Sequence, residues 1–133
     1  MYSQLLKDLK EDLKNLKMND ENIFTLVSIG GIKTDGSPAI ASIFLSDVNH
    51  TQKTNFRYEI TPSFDIVLIF NKNRNENNFE EFTEKRFNMI EVVEEYIKSK
   101  KNGILNKTEL AMDNNTLYAM LSFNLSEVKS LWV

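Results

Sequence analysis

Leucines set the first pattern. Tyr2, Leu6, Leu9, Leu13 and Leu16 recur at intervals of four, three, four and three residues, with Leu5 beside them. Lys7, Asp8, Lys10, Glu11, Asp12 and Lys14 fill the other face. This spacing predicts an amphipathic helix with a single apolar stripe. The stripe covers only about two heptads, too few for a free-standing coiled coil. The helix is therefore expected to pack on its own domain.

"NDEN" breaks the period. "IFTLVSI" (residues 23–29) is β-branched and apolar, and Gly30-Gly31 ends it, which predicts a strand. "KTDGSP" reads as a loop, and "AIASIFLSDV" (39–48) as a second strand. "NHTQKTN" reads as an exposed polar loop. "FRYEI" alternates, with Phe56, Tyr58 and Ile60 on one face and Arg57 and Glu59 on the other. That pattern predicts an edge or half-exposed strand, interrupted by Pro62. "FDIVLIF" (64–70) is apolar without alternation, so a central strand covered on both faces is expected, with Val67 and Leu68 both buried.

A polar loop, "NKNRNENN", leads into a helix over about 78–100. Phe79, Phe82, Phe87, Ile90, Val93 and Ile97 give its inward face, widened by Met89 and Tyr96. Glu80, Glu81 and Glu84 near its start and Lys98, Lys100 and Lys101 at its end suit the helix dipole. Asn102-Gly103 is a helix stop. "ELAMDNNTLYAMLSFNL" reads as a hairpin turning across Asp113 to Asn115. Ser126 reads as an N-cap, and Val128, Leu131 and Trp132 follow at helical spacing, predicting a short terminal helix. A turn so brief must be held by packing. These three side chains are expected either to pack on the same subunit or to dock into a neighbour.

Strands and helices come in runs rather than in single alternation. The expected fold is α+β, one domain over residues 1–133. A mainly antiparallel sheet carries the N-terminal helix and the long helix. The length of 133 residues and the 41% hydrophobic and 26% charged composition suit one globular domain. The net charge of -3 argues against non-specific nucleic-acid binding. The chain has no Cys, which removes disulfides, thiolate nucleophiles and Cys-based zinc sites. Charges interrupt every apolar pair near the start, unlike a signal peptide, and no apolar run approaches a membrane span. A soluble, cytoplasmic protein is expected.

Candidate chemistry is sparse. His50 is the only His and sits in a polar stretch, so neither a His-based zinc site nor a Ser–His triad is supported. Glu80, Glu81, Glu84, Glu91, Glu94 and Glu95 read as the solvated face of one helix rather than as acid/base pairs. Asp65 interrupts an apolar strand and reads as a strand-end residue facing solvent. Gly30-Gly31 is no dinucleotide fingerprint. "KSKKNG" could meet phosphate but equally satisfies a helix C-terminus. Phe56, Tyr58, Phe64 and Phe70 lack basic residues interleaved on their face, so core packing is preferred to base stacking. No catalytic residue, metal ligand or cofactor is expected, and an interaction protein is favoured over an enzyme.

The order of these stretches resembles the tail-terminator (cap) proteins of phage-tail-like contractile injection systems. The resemblance runs over roughly residues 2–132. It rests on the opening amphipathic helix, "AIASIFLSDVNHTQKTN", the Pro before an apolar strand in "ITPSFDIVLIFNKN", the helix start "NNFEEFTEKRFNMIEVVEEYIKSK", and the ending "NLSEVKSLW". It implies a structural ring, a hexamer of this chain, capping the tube and sheath proteins of a contractile particle. No nucleic acid, membrane or small-molecule partner is implied. The family continues beyond its Leu-Trp turn with a stretch that returns to the sheet. Val133 is the last residue here, so Leu131 and Trp132 are expected to cover the sheet or a neighbour directly. Candidate contact residues are Phe56, Tyr58, Ile60, Val128, Leu131 and Trp132, together with the loops 48–55 and 71–78. The alternatives are a phage tail-completion or head–tail joining protein, and a small adaptor that binds a partner by adding a strand to its sheet edge.

Overall fold

The computed structural model describes residues 1–32, 36–54, 57–73, 76, 78–125 and 127–130; for residues 58 and 127–130 the backbone alone is described. The predicted first helix is α1, Tyr2–Asn15, and its leucine stripe faces inward with Leu9 and Leu13 fully buried. Two very short strands follow, β1 (Lys17–Met18) and β2 (Glu21–Asn22), paired antiparallel. The "ND" of the "NDEN" break is the tight turn between them, and its "EN" forms β2. Asn19 and Asp20 both take positive φ, 54° and 64°, a conformation these two residue types tolerate.

The main sheet has the order β3-β4-β5-β7-β6, with β8 paired to β5 beside β7. Its strands are β3 (Leu26–Ile29), β4 (Ala39–Thr54), β5 (Arg57–Asn71), β6 (Ile104–Asp113), β7 (Thr116–Asn124) and β8 (Glu127–Ser130). β3 runs parallel to β4, and every other pairing is antiparallel. The fold is α+β, as the sequence pattern predicts.

α1 lies over β3 and β4, and α2 (Phe79–Glu95) lies on the same side of the sheet. That inner face carries Ala41, Ile43, Phe64, Leu68, Leu121 and Phe123, all fully buried. Phe64 and Phe123 stack with ring centres 5.5 Å apart. Asn78 caps α2, its Oδ1 accepting from Glu80 N–H at 2.8 Å. The helix widens at its end into a π-helical turn, Tyr96–Lys100, and stops as predicted. Asn102 takes φ 51°, and Gly103 N–H donates to Ile97 C=O at 2.8 Å.

Four expectations need correction. The polar stretch 49–54 is not a loop; it continues β4, paired from His50 with Ile60 to Thr54 with Arg57. Backbone pairing within a long hairpin outweighs its polar side chains. Pro62 does not interrupt β5. It stands where the neighbour on one side changes from β7 to β8, and its carbonyl accepts from Leu125 N–H at 3.0 Å. A residue without an N–H fits such a junction. Residues 127–130 are strand β8, not a terminal helix, because the β5 backbone beyond Pro62 offers a ladder.

The fourth correction concerns burial. On α2, Phe82, Arg86, Ile90 and Val93 form the buried stripe, while Phe79 and Phe87 are exposed. On β5, Leu68 is fully buried but Val67 is only half-buried. Both main helices occupy one side, so among the described residues no helix covers the outer face. Near β3 the outer face is closed: Ile40, Ser42 and Ile69 are buried there. Ser28 Oγ donates to Gly31 C=O at 2.9 Å, and Asn71 Nδ2 donates to Ser37 C=O at 2.7 Å. Asp65 lies mid-strand on the open part, where Ser122 Oγ donates to its Oδ1 at 2.7 Å.

Candidate interaction edge

Ile60, one of the residues first singled out for contact, does not lie on an exposed edge. Ile60 is 4% exposed and belongs to the core. Its strand has β4 on one side and β8 on the other, through the pairs Glu59 with Thr51 and Glu59 with Val128. The Tyr58 backbone is paired on both sides; Val128 is paired with Glu59 on one side, and among the described residues β8 has no second neighbour. Phe56, Leu131 and Trp132 lie outside the described residues, as do parts of the loops 48–55 and 71–78.

Among the described residues β3 and β6 end the sheet and β8 pairs with β5 alone; the longest regular open edge is β6. Among the described residues it pairs with β7 alone. A register shift between Leu105 and Lys107 marks a bulge, and from Lys107 to Asp113 the ladder is regular. Pairing fixes which way its side chains face. Thr108, Leu110 and Met112 stand opposite Leu121, Ala119 and Leu117, whose side chains are in the core, so these three share the inner face. Lys107, Glu109, Ala111 and Asp113 share the outer face.

Apolar area fringes this edge. Leu110 is 53% and Met112 46% exposed, because α2 stops short of covering them. Phe87, at 39%, overhangs from α2. Between helix and strand lies a groove of about 260 Å³ lined by Phe87, Ile90, Glu91, Glu94, Thr108 and Leu110. Thr108 Oγ1 donates to Glu94 Oε2 at 2.7 Å and closes one end. On the other face Tyr118 is exposed beside Ala111, Met120 and Val67. Lys107 and Glu109 pair at 2.9 Å on that face, both well exposed.

The other open stretches among the described residues are shorter or irregular: β3 and β8 have four residues each, and β4 is open beyond β3. β3 covers β4 only from Ile40 to Ile43, so beyond it β4 has just β5 beside it among the described residues. That stretch is interrupted by register shifts at Leu45–Asp47 and Gln52–Thr54, and Lys53 projects from it in an ion pair with Glu59 at 3.1 Å. Bulges and lysines blunt a strand edge against pairing. The regular run of β6 has no such protection apart from Lys107 at its start.

Among the described residues no group of His, Cys, Asp and Glu could hold a metal ion. Asp12, Tyr96 and Lys101 meet at the inner edge of α1, with Tyr96 Oη donating to Asp12 Oδ2 at 2.7 Å and Lys101 Nζ 3.0 Å from the same oxygen. This cluster joins α1 to the π-helical turn. Arg86 is buried and paired with Glu76 at 2.8 Å. Among the described residues no helix is long and apolar enough to cross a membrane. Compared with known proteins, the chain matches no family model and no curated sequence.

What the arrangement offers is a row of backbone donors and acceptors flanked by apolar side chains. That is the equipment for accepting a strand from another chain.

Proposed function

We propose that the chain is a structural assembly protein that joins other chains by strand addition. In this reading it forms the ring that caps the tube and sheath of a contractile, phage-tail-like particle. The observation that carries the assembly part is the regular run of β6, unpaired on one side among the described residues, with Leu110, Met112 and Phe87 exposed around it. Exposed apolar area at a paired-ready edge is costly unless a partner covers it. The capping part rests on the resemblance in motif order, and nothing in the site calls for covalent chemistry.

The test is size and shape in solution. Light scattering and electron microscopy of concentrated protein are expected to show closed rings. Placing Pro at Met112, whose side chain is 46% exposed and whose N–H faces the open side of the ladder, removes an edge donor and is expected to reduce them. Protein that never exceeds a dimer at any concentration overturns the ring. The second reading, an adaptor that takes a partner's strand, is favoured by the same β6 edge. It predicts that the unassembled protein stays small while keeping its edge available.

A further inference from the structure

The charges of the regular β6 run stand in mirror order. Lys107 opens it and Asp113 closes it, both on the outer face, with Leu110 at the centre on the inner face. We propose that the β6 edge binds the β6 edge of a second copy of this chain, antiparallel and two-fold about Leu110. The inference goes beyond the capping reading and does not depend on it.

In this register Lys107 lies opposite the partner's Asp113, and Asp113 opposite the partner's Lys107. Glu109 meets an alanine, and on the inner face Leu110 meets its own copy. Opposite charges directly across a sheet stabilise it, and like charges destabilise it. Neighbouring registers fail. An axis at Glu109 sets two glutamates face to face. An axis at Ala111 sets Glu109 against Asp113. An axis at Thr108 draws the bulge at Leu105–Lys107 into the ladder. Odd shifts turn the apolar side chains to the wrong face. The Lys107–Glu109 pair is solvent-exposed, so it yields little when Lys107 turns to a partner. The seam also brings together two copies of the groove under Phe87, covering Leu110 and Met112 from both sides. A two-fold pair does not close a cyclic ring, so this dimer is the form of the free protein, its edges exchanged when a ring assembles.

The test uses charge exchange within the full chain. Sedimentation is expected to show a dimer at concentrations below those that give rings. Lys107→Glu or Asp113→Lys alone is expected to weaken it by about tenfold or more, since two symmetric pairs turn repulsive at once. The double variant restores it, and mixing the two single variants gives a heterodimer. As the chain has no Cys, Leu110→Cys is expected to oxidise to a covalent dimer, while Asn49→Cys on the β4 edge is not. Single variants without effect, a double variant that fails to restore the dimer, or cross-linking by Asn49→Cys but not Leu110→Cys overturns the two-fold seam. Rings without a dimer overturn the seam and leave capping standing; a dimer without rings does the reverse.

Discussion

Tyr96 donates its hydroxyl to Asp12 at 2.7 Å, joining the end of the long helix to the first helix across most of the chain. Burial, and then the Asp12 charge, push the Tyr96 phenol far above its ordinary range. Partial burial pushes the Asp12 carboxyl up, but the hydrogen bonds from Tyr96 and Lys101 and the Lys101 charge outweigh it and hold it below 3.8. Folding therefore favours the Asp12 carboxylate. Its contribution is full above the unfolded pKa near 3.8 and is lost as pH falls through the lower folded value. Urea melts of the wild type and Asp12→Asn are expected to differ at neutral pH and to converge in acid. Tyr96→Phe is expected to cost about 1 kcal/mol. A gap that widens in acid would reverse the assignment.

Arg86 gives the second prediction. Its Nη2 meets Glu76 Oε1 at 2.8 Å, its guanidinium lies 4.9 Å from the Phe82 ring centre, and Nε and Nη1 are buried with no hydrogen-bond partner among the described residues. Removing one member of a buried ion pair strands the other. Glu76→Gln is expected to cost about 3 kcal/mol, whereas Arg86→Met, which keeps the stem and drops the charge, stays within about 1 kcal/mol or stabilises. The double variant should lie close to Arg86→Met. Denaturant unfolding of the three proteins checks the order.

Gly103 gives the third. A Cβ there would lie 2.9 Å from Ile97 Cγ2 and 3.1 Å from Ile97 O, with Leu125 Cδ2 at 3.3 Å. The backbone oxygen cannot move without opening the end of the π-helical turn. Gly103→Ala is expected to lower stability by roughly 1–3 kcal/mol, read as a lower thermal midpoint. Gly31→Ala, with open space around it, is the control.

These residues show what the sequence could reveal. Leu9 and Leu13 were legible because one helix face is one period, and Asn102-Gly103 because a helix end has its own chemistry. Arg86 was not: its place in the buried stripe of α2 conflicts with its charge, and only Glu76 from the preceding loop resolves it. Ile60 alternates as in an edge strand, yet strand order decides edges. That order depends on where β8 docks, a contact between distant segments that local pattern does not carry. For the same reason β6, written as an ordinary hairpin arm, gave no sign that it closes the sheet. Its alternation of Leu110 and Met112 with Glu109 and Ala111 marks a two-faced strand but not an unpaired one.

Val67 and Leu68 supply the final prediction. They are neighbours on β5 and point to opposite faces. Leu68 is fully buried under the helices, between Ala41 on β4 and Ala119 on β7. Val67 stands half-buried on the outer face, paired with Ser42 and Met120. An aspartate at Leu68 would be an unpaired charge in the core, costing several kcal/mol, on the order of the whole stability of the domain. Leu68→Asp is expected to give no cooperative unfolding transition. At Val67 the carboxylate can turn to water, and the loss is that of a half-buried apolar contact, about 1–2 kcal/mol. Val67→Asp is therefore expected to fold and to melt cooperatively at a lower temperature. Equal damage from the two substitutions would mean that a second layer covers the outer face in solution. Concentration-dependent melting of the wild type would then identify that layer as another copy.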